Sequence, residues 1–274
     1  MEFAIFIISH ERSECITIDT LKRLNCTYPT YVIIDNLDKQ KDEYLGKYGS
    51  FVKIFDKSKV ANEVDTIMIP KVMGAAIYAR EYCEQLAKEM NLDYFLVLDD
   101  DTKDFQIRYP LEGKLISQKI IDFNYILDSY IDLLKSTPIG CLGFGTNASY
   151  MGGLEGLYKN KRRCFNGFLR KTKIPFRWLS NYNEDSISCL INGQIGFLVL
   201  EIPYVQVMCI ASGKGISKGG MWEVYNNVDE YRRKYLYVIA NPSVYNLTIS
   251  PNKIKVNRLW DNAIPKILEQ KYKK

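Results

Sequence analysis

No stretch of this chain stays apolar for the roughly 20 residues a helix needs to cross a bilayer, so no membrane partner is expected. The apolar start from Met1 to Ile8 is short, carries no basic residue ahead of it and runs into His10-Glu11-Arg12-Ser13-Glu14, which is unlike a secretory leader. There is no CxxC pair. The seven cysteines, an odd number, are scattered at 15, 26, 83, 141, 164, 189 and 209, which argues against a zinc site and a disulfide framework and predicts reduced thiols in a cytoplasmic protein. In that compartment the triplets Asn25-Cys26-Thr27, Asn147-Ala148-Ser149 and Asn246-Leu247-Thr248 carry no glycan. A glycine-rich phosphate fingerprint is also missing: Gly143 to Gly156 lacks the strand, loop and helix order, and Gly213-Lys214 lacks the upstream glycine.

What is present fits a globular α/β protein. With 274 residues, 47% hydrophobic and 25% charged, the chain can build one large domain or two small ones. A formal net charge of +5 and a pI near 8.6 are compatible with a polyanionic partner without requiring one. The 20 tyrosines suit half-buried positions and stacking surfaces.

Phe3 to Ile8 reads as a buried strand, followed by the polar loop Ser9 to Ser13 and a helix, capped by Ser13, reaching about Leu24. Tyr31 to Ile34 is a second strand ending in Asp35-Asn36, and Phe51 to Phe55 a third. Apolar or small residues at Ala76, Ala79, Cys83, Leu86, Ala87 and Met90 mark one face of a helix over Gly74 to Met90. It leads into Tyr94-Phe95-Leu96-Val97-Leu98, a buried strand that emerges as Asp99-Asp100-Asp101. Strands alternating with helices predict a parallel sheet whose ligand sites lie at the carboxyl ends of the strands. Ser9 to Arg12, Asp35 and the Asp99 to Asp101 triplet should therefore meet on one edge. Packed carboxylates repel, and Mg²⁺ or Mn²⁺ would neutralise them; an acidic surface turn is the alternative.

Beyond Asp104 the spacing predicts a helix over Ile116 to Leu134, a strand over Ile139 to Phe144, a glycine-rich loop to Gly156, and strands at Phe197 to Leu200 and Val205 to Ile210 separated by Pro203. Lys159 to Lys173 gathers Lys159, Lys161, Arg162, Arg163, Arg170, Lys171 and Lys173 without an acid, around Phe165, Asn166 and Phe168. Such a run suits nucleic-acid phosphates with aromatics to stack on bases, and a solvated hairpin is the alternative. Asn183-Glu184-Asp185-Ser186 opens a helix through Ile191, with Asp185 either capping it or aimed into the cleft. Gly219-Gly220-Met221 precedes a Tyr-rich helix from Trp222 to Tyr237, and the tail from Lys253 ends in a basic helix.

The ordered set of first strand, Ser9 to Arg12 loop, Asp35, Gly74 with Ala79-Arg80, and Leu98-Asp99-Asp100-Asp101 resembles the nucleotide-sugar half of GT-A glycosyltransferases, whose DxD motif is matched by Asp99 and Asp101. Glu184-Asp185 matches the Glu-Asp pair of inverting members. More narrowly, the Asp triplet, Asn166-Gly167, Asn183-Glu184-Asp185 and Gly219-Gly220 resemble the TET/JBP-associated glycosyltransferases, linked to glucosylation of hydroxymethylated pyrimidines in DNA. The chain departs from many GT-A enzymes in having no late histidine for the metal, since His10 is its only one.

The resemblance implies a single GT-A domain over 1–274: a Rossmann-like, mostly parallel sheet flanked by helices, with 1–104 binding the donor and 105–274 the acceptor. It implies Mn²⁺ or Mg²⁺ on Asp99 and Asp101, and a UDP-sugar held by Ser9, His10, Arg12, Asp35, Arg80, Asp99 and Asp100. Asp185 is the expected catalytic base, with Glu184 second. DNA is the expected acceptor, contacted by Lys161, Arg162, Arg163, Phe165, Asn166, Phe168, Arg170 and Lys171. A glycan, lipid or protein acceptor keeps the same donor half. A nucleotidyltransferase or phosphatase could also use clustered aspartates, but the DxDxT phosphatase pattern fails, because Lys103 stands at the threonine position. A non-catalytic nucleic-acid-binding protein would need only the basic run.

Overall fold

The computed structural model describes residues 1–66, 76–158, 163–210, 230–251, 253–259 and 262. The expectations at Gly74, Lys159, Lys161, Arg162, Gly213-Lys214 and Gly219 to Met221 lie outside them. Four strands, β1 (Phe3–Ile8), β2 (Thr30–Asp35), β3 (Val52–Phe55) and β4 (Tyr94–Asp99), pair in parallel in the order β3-β2-β1-β4. Between them lie the helices α1 (Ile16–Arg23), α2 (Lys41–Tyr48), α3 (Lys57–Glu63) and α4 (Ile77–Glu89).

Every residue of β1 is buried, as a strand covered on both faces requires. Ala4, Phe6 and Ile8 pack with Cys83, Leu86 and Ala87 of α4, while Ile5 and Ile7 join the opposite cluster with Leu127, Ile131 and Leu134 of α5 (Phe123–Ser136). At roughly 1.5–3 kcal/mol for each large apolar side chain, this burial fixes β1 and β4 at the centre of the molecule.

The sheet continues from β4 through β8 (Gly167–Lys171), β7 (Cys141–Gly145), β9 (Val199–Cys209), β5 (Thr102–Leu111) and β6 (Lys114–Lys119), making nine strands. It is mixed: β8 runs antiparallel to β4 and β7, β7 and β9 are parallel, and β5 is antiparallel to both β9 and β6. Gly167 opens β8 opposite Leu98, where a Cβ would stand 2.6 Å from the Phe144 ring, so any other residue would displace that ring. The short helix α6 (Leu154–Leu157) and α7 (Glu184–Gln194) complete the main body. Outside the large sheet, α8 (Glu230–Ala240) precedes a two-stranded hairpin of β10 (Tyr245–Ser250) and β11 (Lys253–Arg258).

Several expectations are corrected. The helix expected from Ile116 starts at Phe123, because Glu112-Gly113, both at positive φ, turn the chain so that Lys114 to Lys119 pair with β5. The two strands expected around Pro203 are one, β9, which absorbs the proline at a register shift. Ser13 does not cap α1: its hydroxyl donates to Glu43 at 2.6 Å, and the helix begins at Ile16. The tail from Lys253 opens with a strand, Lys253 to Arg258, and the basic helix expected at its end lies outside the described residues. Of the expected Trp222 to Tyr237 helix, residues 222–229 lie outside the described residues and the rest is helical, within α8.

Candidate active site

The carboxyl ends of β1, β2 and β4 meet at one edge, as the strand order demands. The backbone of the Asp triplet is clamped by Thr17, at the start of α1. Its N–H donates to the Asp100 carbonyl at 3.2 Å, and its hydroxyl donates to the Asp99 carbonyl at 2.6 Å while accepting the Thr102 N–H at 2.9 Å. The three side chains then diverge. Those of Asp99 and Asp101 are 26% and 23% exposed, and that of Asp100 only 2%.

Asp100 points into a polar knot. Ser9 Oγ donates to its Oδ2 at 2.5 Å, Arg12 Nη2 stands 3.0 Å from its Oδ1, and Tyr44 ties both partners, its hydroxyl 2.6 Å from Ser9 Oγ and accepting the Arg12 N–H at 3.0 Å. Burial pushes the Asp100 carboxyl up to about 7 despite Arg12 and Ser9. Asp100 holds the Ser9 to Arg12 loop against the motif. Burial and the Asp99 charge push Asp101 up to about 6, against Arg12 at 3.8 Å and a hydrogen bond from the Cys209 thiol. Asn166, in a left-handed conformation, donates to Cys209 Sγ at 3.2 Å, so it stands one side chain from the motif.

Asp35 is engaged within the protein. Its Oδ1 accepts the Leu37 N–H at 3.0 Å, and its Oδ2 is 2.9 Å from Lys57 Nζ and 3.1 Å from His10 Nδ1. Burial alone would raise its pKa, but the hydrogen bonds from His10 and Lys57 outweigh it and hold the carboxyl at about 2. Both oxygens are engaged, leaving the half-buried His10 as the side chain this cluster orients.

Arg80 is buried, and its two ends serve opposite sides of the site: Nη2 lies 3.2 Å from Asp99 Oδ1 and Nη1 3.2 Å from Glu184 Oε1. Its guanidinium stacks on Phe168 at 4.7 Å and Trp178 at 5.4 Å. It neutralises carboxylates and carries the motif across to α7, where Glu184 and Asp185 form the first turn after Asn183, itself at positive φ. Burial raises Glu184 to about 7, with Asp185 adding to the rise and Arg80 opposing it; burial also raises Asp185.

The basic run is the largest correction. Arg170 is fully buried, paired through two nitrogens with Glu84 of α4 at 2.9 and 3.1 Å and stacked on Phe176 and Phe197. Phe168 is core, and Arg163 is buried with its Nε 2.7 Å from Glu201. Lys171 is half-buried, its Nζ donating to the Thr137 carbonyl at 2.7 Å. Of the expected DNA-contacting residues that are described, only Phe165 and Asn166 keep exposed surface without an interior partner for a charge. These residues lie on or beside β8, a strand inserted between β4 and β7, so their charges meet core carboxylates rather than solvent.

Sequence reasoning missed Tyr44, Thr17, Lys57 and Cys209. Lys57 follows the end of β3 and so carried a strand-end signal; the others act through partners about 30 or more residues away, which no local pattern marks. Among the described residues no third His, Cys, Asp or Glu joins Asp99 and Asp101 in a group able to hold a metal, and no helix is long and apolar enough to cross a membrane.

Known proteins align with the chain over most of its length. Glucosyl-3-phosphoglycerate synthase from Mycobacterium tuberculosis, solved with Mg²⁺ and UDP, aligns over 94% of this chain and 86% of its own at 8% identity and a TM-score of 0.49. GalNAc-T7, solved with UDP, GalNAc and Mn²⁺, aligns over 88% and 51% at 15% identity and 0.47. A cytidylyltransferase from Leptospira borgpetersenii aligns over 74% and 76% at 16% identity and 0.40. No curated protein matches the chain. The family model described as TET-associated glycosyltransferase matches residues 3–215, a span that runs from β1 through the Asp triplet, α7 and β9. The chain belongs to the TET-associated glycosyltransferases.

Proposed function

We propose that this glycosyltransferase moves a sugar, glucose in the first instance, from UDP to the hydroxyl of a hydroxymethylated pyrimidine in DNA, with inversion, in the cytoplasm of a bacterial or phage-infected cell. Residues 1–104 hold the donor and 105–274 the acceptor. The observation that carries the reading is the pair of half-buried carboxylates, Asp99 and Asp101, flanking a buried Asp100, with Asp99 tied through Arg80 to Glu184, the neighbour of Asp185.

The donor set fits Mg²⁺ or Mn²⁺. Both ions take hard oxygen ligands, and Mg²⁺ sites commonly use one or two carboxylates with substrate phosphates and water. Burial first, and the neighbouring Asp99 charge second, raise Asp101, and the nearest cation, Arg12, stands 3.8 Å away. A metal held by Asp99 and Asp101 would supply Lewis-acid stabilisation of the charge on the departing diphosphate.

The chain's own residues divide the remaining work. Ser9 to Arg12, braced by Asp100 and Tyr44, form the wall against the nucleoside, and His10, oriented by Asp35, presents its ring there. Arg80 holds Asp99 in place and counters the charge of Glu184. Asp185 takes the proton of the acceptor hydroxyl, because Glu184 is more deeply buried and committed to Arg80. Phe165 and Asn166 face the acceptor.

The burial of Arg163, Phe168 and Arg170 favours one second reading, a glycan, lipid or protein acceptor, because it removes cations and an aromatic ring that would have served DNA. The deciding experiment screens nucleotide sugars for UDP release against hydroxymethyluracil- and hydroxymethylcytosine-containing DNA, unmodified DNA and simple sugars, with and without Mn²⁺. Mn²⁺-dependent release only with hydroxymethylated DNA is expected; equal release with simple sugars would replace the DNA acceptor.

A further inference from the structure

The family match ends at residue 215, and the described chain beyond it is essentially α8 and the β10–β11 hairpin. This unit packs on α7: Leu236, Tyr237, Val244 and Tyr245 share one apolar cluster with Ile187 and Leu190. Tyr245 and Arg258 are direct partners across the hairpin, so their side chains leave the same face. Arg258 Nη2 donates to the Tyr237 hydroxyl at 3.1 Å, and its guanidinium lies 5.0 Å from that ring. The Tyr237 and Tyr245 rings are 4.8 Å apart, and the Tyr245 hydroxyl is 2.9 Å from that of Ser186. Ser186 follows Asp185 and donates its N–H to Asp185 Oδ1 at 2.5 Å. A continuous line of contacts thus runs from β11 to the first turn of α7.

We propose that Arg258 is a positioning residue for sugar transfer: through Tyr237, Tyr245 and Ser186 it fixes Asp185, and its charge keeps that carboxylate ready to accept the acceptor's proton. The inference rests on Asp185 being the base. The groups that act on Asp185 are Glu184 beside it, Asp99 on β4, Arg80 on α4, Tyr237 on α8, Tyr245 on β10 and Arg258 on β11. Burial, Glu184 and Asp99 disfavour its charge; Arg80, the stronger of the two cations acting on it, is shared with those two carboxylates, and Arg258 adds to it from β11. Among the described residues Arg258 forms no carboxylate ion pair, so its field is available to Asp185. A cation near a carboxylate lowers its pKa, and a base works only when deprotonated; loss of Arg258 therefore moves the acid limb of kcat toward higher pH.

The test uses the full chain with UDP-glucose, Mn²⁺ and hydroxymethylated DNA, comparing kcat against pH for wild type, Arg258→Gln, Arg258→Lys, Tyr245→Phe and Asp185→Asn. Arg258→Gln should raise the acid-limb midpoint and lower kcat on the acid side of the profile, with the KM for UDP-glucose unchanged. Arg258→Lys should keep the wild-type midpoint. Tyr245→Phe should lower kcat without moving it. A wild-type profile in Arg258→Gln while Asp185→Asn is inactive overturns the inference, as does an equal shift in the lysine variant, which also covers a glutamine variant that fails to fold. Absence of transfer by the wild type, or full activity in Asp185→Asn, would instead overturn the function on which the inference rests.

Discussion

The acidic triplet after β4 and the basic run before and along β8 are adjacent strands of one sheet, yet their charges have opposite fates. Asp99 and Asp101 keep part of their side-chain surface exposed, whereas Arg163 and Arg170 turn inward to Glu201 and Glu84. Asp99 is the last residue of β4, and Asp100 and Asp101 form the turn into β5, so two of the three carboxylates keep exposed surface at the strand end. Arg170 stands within a strand beneath helix α4, and its long apolar stem and planar head fill a core position that a neutral residue would otherwise take. A charge run read as a surface feature is thus sound at a strand terminus and unsafe along a strand.

The largest expected effects would sharpen the acidic side of this comparison. Asp101→Asn should abolish Mn²⁺-dependent donor binding, and titration calorimetry with UDP reads it directly: an unchanged affinity would remove Asp101 from the metal. Asp185→Asn should leave that heat nearly intact while transfer falls by about 10²- to 10⁴-fold.

The basic side makes the opposite prediction. Arg170→Ala leaves Glu84 buried and unpaired, so it should lose about 3–5 kcal/mol in denaturant unfolding rather than weaken DNA binding specifically. A well-folded Arg170→Ala protein whose DNA affinity had lost part of its salt dependence would break the comparison.

Next in size is Asp35. Its carboxyl is held at about 2 against an ordinary 3.8, so its contribution of about 2 kcal/mol is present above about pH 4 and is lost as pH falls through about 2. Asp35→Asn should remove that acid-sensitive component from thermal unfolding curves, an effect absent if Lys57 and His10 do not pair with it. The smallest effect belongs to Lys171→Ala, about 1 kcal/mol from one hydrogen bond to Thr137, with no measurable change in transfer.

The first 100 residues or so are readable in sequence because each strand there is a short buried run and each loop after it is polar. The positions of Ser9, Asp35 and the Asp triplet follow from connectivity alone. Legibility falls where partners are remote. Nothing local distinguishes Arg170 from Lys171, though one is core and the other half-buried, because the difference is set by Glu84 on a helix 86 residues earlier. Connectivity places Asp35 at the edge, but its engagement by Lys57 and His10 depends on α3 and the first loop closing over it. The strand Lys114 to Lys119 reads in part as helix because its apolar spacing is ambiguous and the turn that decides it lies just upstream.

The Thr17 clamp has a last consequence. With the backbone of the turn pinned at Asp99, Asp100 and Thr102, neighbouring side chains are sorted by parity: Asp99 and Asp101 to the cleft, Asp100 to the interior. The motif is then a statement about phase as much as about acidity. One residue inserted before Asp99 would preserve all three carboxylates yet exchange their stations, sending two charges inward and leaving one outside. Such a frame change should be more damaging than replacing either outer aspartate, since it strikes the cleft and the Ser9–Arg12 knot together.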